Sequence, residues 1–239
     1  MDSSAGSVPG LAPTIAGRVQ LALNQACSAR PDDGVVVGVQ PDVLAAISSD
    51  ETRLAVWNRE LGLAIRTWLH DQKPGALPTG RVLVALTEID AALHSLFPDA
   101  HAGCPSRILA RDIRDLAALY GRLAGTDIVD LRLEEIEHDA CWRFHLDAVK
   151  LRLVTTYLGP GTELVPSAHA GRALRLQRRY DGPIVHIPTG SVALFKGAQA
   201  GPSPGIVHRS PAVMRKGLRR LFLSINAPSS ASPDLWRPS

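Results

Sequence analysis

Cys141-Trp142-Arg143-Phe144-His145-Leu146-Asp147-Ala148-Val149 is the stretch on which the fold and the chemistry turn. In an extended chain, residues two apart project from the same face. His145 and Asp147 then point together, with Phe144 and Leu146 on the opposite face. A neutral imidazole and a carboxylate side by side are two legs of a divalent-metal site. The third is expected from His208, 61 residues further on in Ile206-Val207-His208-Arg209-Ser210-Pro211. Two histidines and one carboxylate on one side of a metal leave coordination positions open, which suits Fe(II) and the activation of small molecules. The spacing is not specific by itself. The chain has eight histidines, and H-x-D with a later His also arises by chance, leaving His145 and Asp147 as surface or capping residues.

Around this stretch the chain reads as short β-rich pieces. Val129, Leu131 and Leu133 alternate with Asp130, Arg132 and Glu134, and the pattern continues through 143–158, 172–180, 183–188, 191–196 and 218–226. Gly159-Pro160-Gly161, Asp181-Gly182-Pro183 and Gly201-Pro202-Ser203-Pro204-Gly205 punctuate it. Short strands with frequent turns predict a sandwich or barrel.

Upstream of Thr126 the period is helical. Val35-Val36-Val37-Gly38-Val39 reads as a strand, and Asp42 as a cap for a helix from Val43. Leu54, Trp57, Leu61, Ile65, Trp68 and Leu69 predict one amphipathic helix ending before Lys73-Pro74-Gly75. Val82 to Phe97 continues in similar style. Arg107 to Leu123 is the clearest helix, stopped by Gly125. Trp57 and Trp68 are expected as core anchors. The expected organisation is a disordered tail at 1–13, a mainly helical region at 14–125, a β-barrel metal-binding region at 126–227 and a loose tail at 228–239. The fold class is α+β: an N-terminal helical region packed on a C-terminal double-stranded β-helix, or jelly roll.

The order of elements over roughly 141–226 resembles the Fe(II)/2-oxoglutarate dioxygenase superfamily. His145-Leu146-Asp147 is followed by a strand from Leu151 to Leu158, then by Gly161-Thr162-Glu163-Leu164-Val165-Pro166-Ser167-Ala168-His169. Next come Gly190-Ser191-Val192-Ala193-Leu194-Phe195-Lys196-Gly197 and the distal His208. The resemblance implies that an Arg about eleven residues beyond the distal His binds a 2-oxoglutarate carboxylate. Arg219 and Arg220 stand eleven and twelve residues beyond it. Strand parity lets only one face inward, and the sequence leaves that choice open. Pro166-Ser167-Ala168-His169 lacks the Gly usual in its counterpart. Cys141 to Asp147, Leu151 to Glu163, Leu194 to Gly197 and Val207 to Pro211 also resemble a bacterial domain-of-unknown-function family often encoded near zinc-homeostasis GTPases. That resemblance implies a tie to metal supply.

The reading favoured is a metal-dependent, oxygenase-like protein that hydroxylates an unknown substrate, with Fe(II) at His145, Asp147 and His208 and 2-oxoglutarate at Arg219 or Arg220. The alternative is a non-catalytic zinc-binding protein of zinc homeostasis, its tetrahedral shell closed by Cys141 or His138. A third reading is a module for an acidic partner, using Arg172, Arg175, Arg178 and Arg179. Cys141 is a fourth ligand or a small buried thiol. Glu163 lines the barrel mouth or is a solvated loop acid. Lys196 meets an anionic ligand or is a strand-end charge.

Charge is uneven along the chain. Residues 1–140 carry 12 Lys/Arg against 19 Asp/Glu, and residues 141–239 carry 14 against 4, within a net +3. The basic half favours a small anionic ligand, or else packs against the acidic half. Nucleic acid is not expected, and a metal-homeostasis partner is the other partner envisaged. No apolar run reaches the length of a membrane span. The start lacks a secretory pattern, and three scattered cysteines fit a reducing compartment, so the cytoplasm is expected.

Overall fold

The computed structural model describes residues 34–139, 141–201 and 205–238. The expected tail of residues 1–13 lies outside them. Ten strands form two sheets among the described residues. In chain order the strands are β1 (Val35–Gly38), β2 (Leu54–Trp57), β3 (Gly80–Ala85), β4 (Ile128–Ile136) and β5 (Leu151–Leu158). The rest are β6 (Glu163–Leu164), β7 (Val185–His186), β8 (Val192–Lys196), β9 (His208–Arg209) and β10 (Arg220–Asn226). The helices are α1 (Leu63–Asp71), α2 (Ile89–Leu96), α3 (Pro105–Ala124) and α4 (Ala170–Leu176), with short 3₁₀ turns between elements.

The large sheet runs β1-β2-β8-β5-β10-β4-β3 and the small one β7-β6-β9. Among the described strands only β1 and β2 pair in parallel, and Leu83 of β3 adds an isolated parallel bridge to Leu235. Alternation assigns the two faces of the large sheet. Leu153, Tyr157, Leu194, Leu221, Leu223 and Ile225 pack against Leu69, Leu93, Ile113 and Leu116 of the helices. Leu54, Val56, Val154, Ala193 and Phe195 face the other way and meet Leu164, Val185, Ile187 and Ile206 at the small sheet. The central strands are therefore covered on both sides, which is why β5 and β8 read as nearly continuous apolar runs. No described helix is long and apolar enough to cross a membrane.

Several expectations need correction. The N-terminal half is not simply a helical layer, because β1, β2 and β3 join the large sheet. The single helix expected from Leu54 to Leu69 divides into β2 and α1. Leu54, Ala55 and Val56 are buried in succession, which a strand between two layers achieves and a helix with one buried stripe does not. Val82 to Phe97 likewise divides into β3 and α2. Asp42 caps no helix; Pro41–Ser48 is a 3₁₀ turn capped at Gln40 without a side-chain bond. Segment 172–180 is α4 and a 3₁₀ turn rather than a strand, with Ala173 buried and the arginines outward. The end of the chain is held: Trp236 N donates to Leu83 O at 2.7 Å and the Ser232 hydroxyl to Asp130 at 2.7 Å. Trp57 and Trp68 pack on the core as expected.

Candidate metal centre

His145, Asp147 and His208 come together, each offering one ligand atom, all within 4.8 Å of one another. His208 lies on β9, where its partner in register is Leu164. His145 precedes β5 and joins the same strand by a single bridge, its N–H and C=O paired with His208 at 3.0 and 3.1 Å. The segment 141–147 is therefore not a regular strand, yet the bridge gives His145 an extended conformation. Asp147 sits in the following loop, whose carbonyl accepts from Ala198 N at 2.7 Å.

The hydrogen bonds aim the ligands. His145 Nδ1 lies 2.8 Å from Arg143 O, and His208 Nδ1 lies 2.9 Å from Ile206 O. A carbonyl only accepts, so each Nδ1 carries the proton and each Nε2 keeps its lone pair free. His145 Nε2 lies 3.8 Å from Asp147 Oδ1, and His208 Nε2 lies 3.5 Å from Asp147 Oδ2. Burial is the main influence on His208 and lowers its pKa below the usual imidazole value, with the Asp147 charge opposing. Asp147 is buried; Oδ1 accepts from Arg152 Nη1 at 2.6 Å, while Oδ2 has no partner. An orphaned buried carboxylate oxygen facing imidazole lone pairs is costly without a cation. The donor set, two neutral imidazoles and one carboxylate, thus fits a divalent metal.

The two arginines part company. Arg219 donates to Glu135 at 2.9 Å and to the carbonyls of Leu69, His70 and Gln72, away from the centre. Arg220 is fully buried. Its Nη1 donates to Ser210 Oγ at 2.9 Å and its Nη2 to Thr156 Oγ1 at 3.0 Å, while Nε has no partner. No carboxylate lies within ion-pair distance of it among the described residues. Burial lowers its pKa to about 10, so it remains a cation at neutral pH. Ser210, which follows β9 two residues past His208, thus carries Arg220 to the end of the strand that bears that histidine, and the charge of Glu163 acts on Arg220 from beyond ion-pair distance.

The other candidates lie elsewhere. Cys141 and His138 are both exposed, and neither joins the ligand group. Cys141 is thus not the buried thiol expected. Glu163 is not a solvated loop acid: it is buried on β6 and accepts from Arg209 Nε at 2.6 Å. Lys196 donates to Ser49 O at 2.6 Å and lines a separate cleft of about 550 Å³ with Lys150 and Gln199. Sequence reasoning missed Arg152, Thr156 and Ser210. Arg152 carried a readable signal, being the one charged residue in Leu151-Arg152-Leu153-Val154-Thr155-Thr156-Tyr157-Leu158.

A family model described as "Protein of unknown function (DUF1826)" matches residues 38–226. No curated protein matches the chain. Among solved structures, it is similar to a prolyl-4-hydroxylase from Pseudomonas putida, with 16% identity, a TM-score of 0.37, and 76% of this chain and 92% of that one covered. It is also similar to the non-heme alpha ketoglutarate dependent carbocyclase SnoK of nogalamycin biosynthesis. There the identity is 12%, the TM-score 0.34, and the coverage 79% and 83%.

Proposed function

The chain belongs to the family described as "Protein of unknown function (DUF1826)", and we propose that it is an Fe(II)- and 2-oxoglutarate-dependent oxygenase built on an open double-stranded β-helix. The observation that carries the proposal is the buried Asp147 carboxylate, its Oδ2 without a hydrogen-bond partner, gathered with two imidazoles whose Nε2 lone pairs are free. The buried guanidinium of Arg220, held by Ser210 and Thr156 with no carboxylate within ion-pair distance among the described residues, supports it. His145, Asp147 and His208 would hold the metal. Arg220 would hold the distal carboxylate of 2-oxoglutarate. Bound together, iron and 2-oxoglutarate supply the oxidising power to hydroxylate a substrate with O₂.

The chain's own residues bind, orient and exclude water. Arg143 O and Ile206 O fix the two imidazole rings. Arg152 fixes Asp147 and is itself anchored to Asn226 Oδ1 at 2.8 Å. The Ser210 and Thr156 hydroxyls aim the Arg220 guanidinium, whose planar fork suits a carboxylate. The Phe195 ring lies 4.7 Å from the His208 ring and helps wall the site from solvent.

The test is calorimetry on anaerobic, Fe(II)-loaded protein. The parent is expected to bind 2-oxoglutarate. Arg220→Leu should weaken that binding by about 2 kcal/mol or more, roughly thirtyfold, as expected when a buried charge loses its partner. Its metal affinity should persist. Arg219→Leu should leave 2-oxoglutarate binding near the parent's and lower only stability. A loaded parent that ignores 2-oxoglutarate, yet holds Zn(II) in a way that depends on Cys141, would overturn the proposal in favour of a zinc protein.

A further inference from the structure

The basic half of the chain spends its few acids early. Residues 141–239 contain Asp147, Glu163, Asp181 and Asp234 as their only carboxylate side chains. Asp147 belongs to the metal centre, Glu163 pairs with Arg209, and Asp181 pairs with Arg172. Arg143, Arg175, Arg178 and Arg179 are exposed, and none has a carboxylate partner among the described residues. Like charges crowded on one surface repel, and an anionic partner relieves that cost.

This surface is fastened to the metal centre. Gln177 holds a left-handed backbone, φ 50°, which a side-chain-bearing residue adopts only when its surroundings enforce it. Its amide grips Phe144 at both ends: Oε1 accepts from Phe144 N at 2.8 Å, and Nε2 donates to Phe144 O at 3.0 Å. Phe144 lies between Arg143 and His145, so the grip sets the arginine-bearing turn against the first metal ligand. Trp142 completes the arrangement, with the Arg178 guanidinium 4.1 Å and the Arg143 guanidinium 5.3 Å from its ring centre. Guanidiniums stacked on an indole are held in place while their N–H edges stay available to carboxylates. Ile184, which leads into β7, packs in the same apolar cluster as Phe144, Tyr180 and Leu176. β7 is an edge strand of the small sheet, and an edge strand carries backbone donors and acceptors that an extended peptide can pair with.

We propose that the face formed by Arg143, Arg175, Arg178 and Arg179 docks an acidic segment of another polypeptide and delivers it to the metal centre; the delivery rests on the metal reading above. A polypeptide is favoured over single-stranded nucleic acid because Trp142, the aromatic ring at this face, is engaged by guanidiniums, whereas base recognition uses a ring free to stack.

The experiment uses a fluorescein-labelled polyglutamate peptide of about ten residues and an oligonucleotide of equal charge as probes. Arg175→Glu/Arg178→Glu/Arg179→Glu should weaken peptide binding by about tenfold or more. The control Arg107→Glu/Arg111→Glu, on the exposed face of α3, should change it by less than about twofold. Metal titration of every variant should match the parent, and Mn(II)-loaded parent should broaden the proton resonances of bound peptide where the Zn(II)-loaded form does not. The docking surface is overturned by a parent that does not bind peptide, by equal loss in the control, or by tighter binding of the oligonucleotide. Peptide binding without broadening in Mn(II)-loaded protein overturns the delivery. A parent that binds peptide but no metal sinks the metal reading and leaves the docking surface standing.

Discussion

At the scale of single residues, Arg152 carries the most untested weight. It gives one N–H to Asp147 Oδ1 and another to Asn226, leaving Oδ2, the oxygen nearer His208, without a hydrogen-bond partner. Groups that orient a metal ligand typically matter by 10–100-fold in metal affinity. Arg152→Ala is therefore expected to lower metal affinity by roughly that factor in calorimetry. Arg152→Lys should recover part of it, because one ammonium can still reach a carboxylate but cannot hold both partners in a fixed plane. Equal affinity in all three proteins would show that Asp147 needs no such support. His145→Ala and Asp147→Ala should each abolish stoichiometric metal while the far-ultraviolet spectrum stays unchanged, since the sheets and helices close without these two side chains. The gathering of His145, Asp147 and His208 was legible in the H-x-D spacing and the later His, although of the H-x-D pair only His145, by one bridge, is extended as strand parity required. The choice between Arg219 and Arg220 was not legible, because it depends on the register of β10 against two neighbours. That register includes a shift between Leu221 and Phe222 on the β5 side, and nothing local in Arg219-Arg220 encodes it.

At the scale of elements, the sequence was clearest where one element has one exposed face. α3, with its apolar stripe and Gly125 stop, spans Pro105–Ala124, close to expectation. β4 alternates and was readable for the same reason. The failures fall where strand and helix share an apolar run, as in Leu54–Leu69, because a strand covered on both sides loses its alternation. α4 and the 3₁₀ turn after it were misread because four exposed arginines, two in each, masked the single buried Ala173. Gly197, just past β8, tests how far element packing controls the centre. A Cβ there would sit 2.1 Å from Val149 O and 2.7 Å from Asp147 O, both backbone atoms. Gly197→Ala must push the Asp147 loop aside. The expected cost is about 1–3 kcal/mol, read as a thermal midpoint lower by several degrees, together with weaker metal binding. Gly171→Ala on α4 meets only the end of a flexible Arg175 side chain at 3.6 Å and should be neutral or slightly stabilising. If both glycine variants behave alike, close approach at Gly197 does not hold the loop.

At the scale of the whole molecule, helices α1, α2 and α3 and the candidate metal centre lie on opposite faces of the large sheet, and one buried polar network ties the helical face down. Arg59 grips Asp112 of α3 through two N–H···O bonds of 2.5 and 2.8 Å and donates to Gly190 O at 3.0 Å. The Tyr157 hydroxyl of β5 donates to Asp112 at 2.7 Å. The carboxylate therefore joins α3 to β5, and through Arg59 to the loop before β8. Burial raises the Tyr157 pKa well above the usual phenol value, so its proton stays in place as a donor. Removing one partner of a mostly buried ion pair costs about 3–5 kcal/mol, because the other charge is stranded, whereas deleting a single hydroxyl donor costs about 1 kcal/mol. Asp112→Ala should accordingly destabilise strongly, a large fraction of the 5–15 kcal/mol that holds a typical domain. Tyr157→Phe should destabilise mildly. Asp112→Ala combined with Arg59→Met, which removes both charges, should be more stable than Asp112→Ala alone. Denaturant unfolding gives the three values, and metal titration of the folded variants supplies the second readout. Because the network faces the helices and the ligands face the small sheet, metal affinity should stay at the parent's value in each variant that remains folded. A fall in affinity that tracks the fall in stability would mean that the two faces of the sheet are not independent, and that the helical layer helps to shape the metal centre.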